Sequence, residues 1–168
     1  MSKCRTLAAC GLALAITALA AGCAGLPENV ATGTSRGQVV QALGQPTTTW
    51  PLPAGATRLQ YSRQPQGRQV INVDLDDAGR VVMVRQALTP ANLEQVPVDG
   101  SWRVDDMLRE FGTPAIKATL RAVPGEVWSY RYLVTSTPYL FHVDIDRDGA
   151  VRRTYSSIEP IRPWFGGD

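Results

Sequence analysis

The sequence predicts an α+β fold: a tandem repeat of small units, each a helix followed by a three-stranded antiparallel sheet. Three internal echoes carry this reading. Val40-Gln41-Ala42-Leu43-Gly44-Gln45-Pro46 recurs 68 positions on as Leu108-Arg109-Glu110-Phe111-Gly112-Thr113-Pro114, with apolar, polar, glycine and proline in nearly the same order. Leu59, Tyr61 and Arg63 meet Trp128, Tyr130 and Tyr132 at an offset of 69. Val73-Asp74-Leu75-Asp76 with Gly79-Arg80-Val81 meets Val143-Asp144-Ile145-Asp146 with Gly149-Ala150-Val151 at an offset of 70. One echo is chance, but three in register, drifting only by single insertions, are an internal repeat.

The chain begins with Lys3 and Arg5 and then runs from Thr6 to Pro27 without a charge, the layout of a secretory signal peptide. The apolar stretch Leu7 to Ala21 ends in Ala20, Ala21 and Gly22 directly before Cys23. That order resembles a lipobox, the cleavage signal of bacterial lipoproteins, although Ala20 stands where leucine is usual. Leu7-Ala8-Ala9-Cys10 also fits the pattern, but too few residues precede it to form an apolar helix. The alternative is an uncleaved membrane helix, because the uncharged run approaches the ~20 residues a span needs. Residues 1–22 are therefore read as a signal peptide, Cys23 as the lipidation site and 23–32 as a short tether.

All three cysteines, Cys4, Cys10 and Cys23, lie in this segment. Cleavage before Cys23 leaves a domain without a disulfide, a free thiol or a thiolate metal site, despite an oxidising compartment. It also removes Lys3 and Arg5 from the 17 basic residues, which balances the 15 acidic ones. The sequence pI of 8.6 thus belongs to the leader and gives no support for nucleic-acid binding.

The first unit spans 33–87. Ser35 to Leu43 carries Val39, Val40 and Leu43 at helical spacing, and Gly44 then Pro46 stop the helix. Arg58 to Arg63, Val70 to Asp76 and Arg80 to Ala87 read as strands. A linker, 88–100, precedes the second unit, 101–157, where Val104, Met107, Leu108 and Phe111 repeat the helical stripe. Val127 to Thr135, Tyr139 to Asp146 and Ala150 to Ser156 are its strands. Short helical turns are predicted around Glu28 to Ala31 and Pro90 to Glu94. The tail 158–168 is too rich in proline for a helix, and Trp164 and Phe165 either pack back or stand free.

Alternation along the strands assigns their faces. Leu59, Tyr61, Ile71, Val73 and Leu75 point to the helix, as do Trp128, Tyr130, Phe141, Val143 and Ile145. Arg58, Gln60, Asn72 and Asp74 take the opposite face in the first unit, and Ser129, Arg131, His142 and Asp144 in the second. An open polar face is either solvated or a docking surface. Arg58, Gln60, Asn72, Asp74, Arg131, His142 and Asp144 are accordingly the candidate protein-binding residues.

The run Gly33-Thr34-Ser35, Gln38-Val39, Ala42-Leu43-Gly44-Gln45-Pro46, followed by a tyrosine strand and Val73-Asp74-Leu75-Asp76, resembles the SmpA/OmlA/BamE family of small outer-membrane lipoproteins. The second unit matches less closely, with Ser101-Trp102-Arg103 in place of Gly-Thr-Ser. A tandem pair of such units is also similar in architecture to the β-lactamase inhibitor proteins. The resemblance implies a non-catalytic subunit that helps assemble β-barrel proteins, anchored in the outer membrane and facing the periplasm. Ala24, after the cysteine, is not the aspartate that commonly signals inner-membrane retention.

Asp144-Ile145-Asp146-Arg147-Asp148-Gly149 is similar to the first half of a calcium loop, but position twelve is Tyr155 and lacks the bidentate glutamate. The competing reading is a tight turn with Gly149 at positive φ. His142, the only histidine, is placed beside Asp144, yet no activated serine context accompanies it. No catalytic residue, metal or cofactor is expected. Partners are then the membrane, through lipid on Cys23, and an envelope protein, with the barrel-assembly machinery suggested by the resemblance. The alternative is a periplasmic inhibitor or binding protein using a concave sheet surface.

Overall fold

The computed structural model describes residues 29–121 and 124–160. The signal peptide, Cys23, most of the tether and the aromatic tail from 161 lie outside the described residues. The elements are α1 (Arg36–Leu43), β1 (Thr48–Pro51), β2 (Thr57–Ser62), β3 (Val70–Leu75), β4 (Val81–Gln86), α2 (Pro90–Leu93), α3 (Val104–Phe111), β5 (Ile116–Ala118), β6 (Gly125–Val134), β7 (Thr137–Asp146) and β8 (Val151–Ile158). They form an α+β molecule with two four-stranded antiparallel sheets, ordered β1-β2-β3-β4 and β5-β6-β7-β8.

Each sheet thus has one strand more than the sequence predicts. The extra strands, β1 and β5, follow the Gly-x-Pro helix stops and pair with β2 and β6. At four and three residues they are too short to show an alternating pattern.

The helix ends follow their capping chemistry. The Ser35 hydroxyl accepts from the Gln38 N–H, and the Gln38 side chain accepts from the Ser35 N–H, a complete capping box. At α3 only half of that device exists: the Asp106 carboxylate accepts from the Arg103 N–H. Both helices end on a glycine at positive φ, Gly44 at 83° and Gly112 at 71°. The hydroxyl of Tyr61 donates to the Gly44 carbonyl and that of Tyr130 to the Gly112 carbonyl, each at 3.2 Å. Burial pushes the pKa of both tyrosines up, most strongly for Tyr130.

The hairpins also correspond. Leu59 pairs with Val73 and Trp128 with Val143, and β-bulges fall at Asp74/Leu75 and Asp144/Ile145. The predicted core positions are buried in both halves, except Tyr61, which is half-buried. The first core holds Val39, Leu59, Ile71, Val73, Leu75 and Val81. The second is larger, because it also draws in Val70, Ala87, Leu88, Leu93 and Val96. The segment 88–100 is therefore not a bare linker: Leu93, on the single turn α2, is 2 % exposed within the second core. Burying such a side chain contributes about 1.5–3 kcal/mol.

Candidate functional site

The two polar faces have different fates. In the first sheet Arg58, Gln60 and Asn72 are buried, Asn72 completely. They lie beneath the last turn of α3, where the Leu108 carbonyl accepts from the Gly112 N–H and those of Arg109 and Glu110 lie beyond the helical ladder. Gln60 Nε2 donates to the carbonyls of Leu108 and Arg109 at 3.3 and 3.1 Å. Asn72 Nδ2 donates to the Glu110 carbonyl at 2.9 Å, and its Oδ1 accepts from Gln60. Arg58 Nη1 reaches the Arg109 carbonyl at 3.2 Å and the Glu110 carboxylate at 2.9 Å. Its Nε and Nη2 make a bidentate pair with Asp74 at 2.6 and 2.8 Å. Arg85 also donates to Glu110.

Cations at the negative end of a helix dipole are favourable, and a desolvated guanidinium needs this many acceptors. Burial works against the charge on Arg58, but the bonds to Asp74 and the field of Glu110 outweigh it and hold its pKa above the ordinary arginine value. Three of the four first-unit residues predicted to face a partner, Arg58, Gln60 and Asn72, instead bond to the second half of their own chain, and Asp74 joins them through Arg58. They form a seam. Glu110, Arg85 and the α3 carbonyls belong to it too, and the sequence reading missed them.

A second contact runs the other way. The Gln64 side-chain amide donates to the Arg131 carbonyl at 2.8 Å and accepts from its N–H at 3.4 Å, filling the free edge of β6 beyond the end of β5. Arg131 donates to the Pro65 carbonyl, and Arg131 and Arg68 both pair with Glu159 at 2.7 Å. These residues line a groove of about 580 Å³ with Ile116, Pro138, Leu140 and Pro160.

The second sheet's polar face has no helix across it among the described residues. Most of its polar groups bond to one another. Ser129 Oγ lies 2.8 Å from His142 Nδ1, and His142 Nε2 lies 2.9 Å from Ser157 Oγ. The imidazole stacks on Tyr155 with centroids 4.7 Å apart, and the Arg153 guanidinium sits 5.0 Å from the same tyrosine ring. Burial pushes the His142 pKa below the ordinary value, against the opposing field of Asp144. Asp144 pairs through Oδ2 with Arg153 at 2.7 Å, while its Oδ1 is buried without a hydrogen-bond partner. The corresponding Asp74 spends both oxygens on Arg58, and the second half has Val127 at that strand position.

The arrangement does not assemble a serine–histidine–carboxylate relay, because the far nitrogen of His142 meets a hydroxyl and Asp144 is turned to Arg153. The Asp144 to Gly149 loop is a tight turn. Asp146 Oδ1 accepts from the N–H groups of Asp148 and Ala150 at 3.0 and 2.9 Å, and Oδ2 pairs with Arg152. The bond from Ala150, then the one from Arg152, holds its pKa below the ordinary carboxylate value. Among the described residues no group of three His, Cys, Asp or Glu side chains is placed to hold a metal ion. None of their helices is long and apolar enough to cross a membrane.

Neither a protein-family profile nor a curated protein matches the sequence. Two solved structures show distant likeness. A DUF4309 family protein from Bacillus subtilis is 16% identical, with a TM-score of 0.32, over 75% of this chain and 79% of that one. An extracellular protein containing an SCP domain from Bacillus anthracis is 13% identical, with a TM-score of 0.29, over 79% of this chain and 50% of its own.

Proposed function

We propose that this protein is an outer-membrane-anchored periplasmic lipoprotein that acts as a non-catalytic binding module, built from two tandem copies of one helix-and-sheet unit. The observation that carries the binding reading is the asymmetry of the two polar faces. The first is consumed by the chain's own α3, whereas the second presents His142, Arg153 and Tyr155 with no helix over them among the described residues, Arg131 being held by Pro65 and Glu159. The anchor reading rests on the lipobox-like run ending at Cys23.

The tandem-copy reading is supported by matching relationships in both halves: the glycine helix stops, the tyrosine bonds to them, the bulged hairpins and the bridges Ser35 to Arg80 and Arg103 to Ala150. A role in barrel-protein assembly follows only from the family resemblance. The alternative, an inhibitor seating its target on a surface shared by both sheets, loses half of that surface to the seam.

Two measurements test the proposal. The N-terminal peptide of the membrane-purified protein, weighed after digestion, is expected to begin at a lipid-modified Cys23, and an unprocessed Met1 end would contradict the anchor. Crosslinking in native membranes is expected to capture barrel-assembly or other envelope subunits, whereas capture of one soluble enzyme would favour inhibition.

A further inference from the structure

Two of the four sheet edges are short, and a third, that of the six-residue β4, is covered at its first residue. β1 and β5 have four and three residues, and the amide of Gln64 continues the β5 edge. Beyond β4, the Val81 N–H and carbonyl are taken by Thr34 and Gly33, and Ala87 leads at once into the buried Leu88 and α2. The eight-residue β8 differs. Its first residue is covered, because the Val151 N–H donates to the Trp102 carbonyl at 2.9 Å beside the Arg103 to Ala150 bridge. At its far end Glu159 donates to Pro138, and Pro160 stops the strand. Between these limits residues 152–158 have an outer edge that no described residue pairs. A long open edge is a template for another strand.

We infer that the occupant is a second copy of this chain, joined by antiparallel pairing of β8 with its mate about a two-fold axis at Tyr155. The open window is itself centred on Tyr155, so the mate fits between the Trp102 stop at each end. Since Glu159, two residues after Ser157, donates inward to β7, strand alternation turns the Thr154 and Ser156 backbone groups outward. Thr154 then meets Ser156 of the mate and Ser156 meets Thr154, each pair exchanging two backbone hydrogen bonds. Tyr155 faces Tyr155, Arg153 faces Ser157 and Arg152 faces Ile158. No like charges are opposed. The two Arg153 side chains stand roughly 13 Å apart along the strand direction, and aromatic pairs of this kind stabilise cross-strand contacts. Ile158, at 63 % the most exposed large apolar side chain among the described residues, gains cover. The result is one eight-stranded sheet in which the two His142/Tyr155 faces become continuous.

The geometry fixes a test. Tyr155 turns its backbone toward β7, so the two copies meet there as a non-hydrogen-bonded pair with Cα atoms about 4.5 Å apart, within disulfide range. In full-length chain whose three native cysteines are serine, Tyr155→Cys is expected to oxidise to a disulfide-linked dimer as the main species. Met83→Cys, on the corresponding stretch of β4 and 51 % exposed, is expected to remain mostly monomeric. Ile158→Pro is expected to weaken self-association measured by sedimentation by about tenfold while leaving the circular dichroism spectrum unchanged. A monomer at all concentrations, a Tyr155→Cys band no stronger than that of Met83→Cys, or a dimer indifferent to Ile158→Pro would each overturn the pairing. None of these outcomes depends on the lipid anchor or on an envelope partner.

Discussion

The guanidinium of Arg58 lies 2.9 Å from the carboxylate of Glu110, 52 positions away and in the other half of the molecule. Both side chains are largely out of water, at 8 % and 15 % exposure, and Asp74 and Arg85 complete the cluster. Removing one member strands the rest, which is the costly case for buried charges. Arg58→Ala is expected to lower stability by about 3–5 kcal/mol. Arg109→Ala removes a pair with Asp106 in which both side chains are exposed, at 41 % and 31 %, and is expected to cost under about 1 kcal/mol. Urea denaturation of the two variants checks the ranking, and equal losses would contradict a seam held by this cluster.

Gly44 and Gly112 end their helices in the same backbone conformation but in different surroundings. A Cβ at Gly44 meets nothing within 4 Å, whereas one at Gly112 comes within 3.1 Å of Gln60 Oε1. Gly44→Ala is expected to cost the left-handed strain alone, about 1–2 kcal/mol. Gly112→Ala must also displace the amide that satisfies the α3 carbonyls, an added loss of about 1 kcal/mol or more. Thermal melts of the two variants should show the larger drop for Gly112→Ala.

Local chemistry was legible in the sequence where one short segment decides its own structure. The two Gly-x-Pro stops and the Asp–Gly turns are of this kind, and alternation in β2, β3, β6 and β7 identified the apolar core side chains but not the burial of Arg58, Gln60 and Asn72 on the opposite face. The seam was not legible, because docking α3 on the first sheet joins residues about fifty positions apart and leaves no periodic trace. A signal did exist in the mismatches. Arg58 against Val127, Arg85 against Tyr155 and Glu110 against Ala42 break the internal echo, and they are three of the four charged seam residues, Asp74 keeping its counterpart in Asp144. Those breaks also mean that neither α1 nor the second sheet retains the charged pair through which a chain of seams would propagate.

The Asp146 carboxylate is already spent on two backbone N–H groups and Arg152. Millimolar calcium is therefore expected to leave the melting temperature unchanged. Because the folded-state pKa of Asp146 is depressed, its contribution is present above the ordinary value of 3.8 and is lost as pH falls through the folded value. Asp146→Asn should flatten the acid limb of a stability profile, and a calcium-induced rise in melting temperature would revive the ion-binding reading.

His142 has the same sign for a different reason. Its folded pKa lies below 6.5, so on acidification the unfolded chain takes up the proton first. Its share of stability is complete above 6.5 and declines as pH falls toward the folded value. The wild-type chain should lose more stability between pH 7 and pH 5.5 than His142→Gln, as measured by denaturation at each pH. Parallel profiles would contradict a half-buried imidazole held neutral.

The central claim is that one sheet face belongs to the fold and the other to a partner. Photo-reactive residues placed singly at positions 142 and 153, and at 60 and 72, test it in intact cells. The account predicts adducts with an envelope protein from the first set and none from the second, whose side chains lie beneath α3. Adducts from 60 or 72, or a second face that captures nothing besides its own chain, would contradict it.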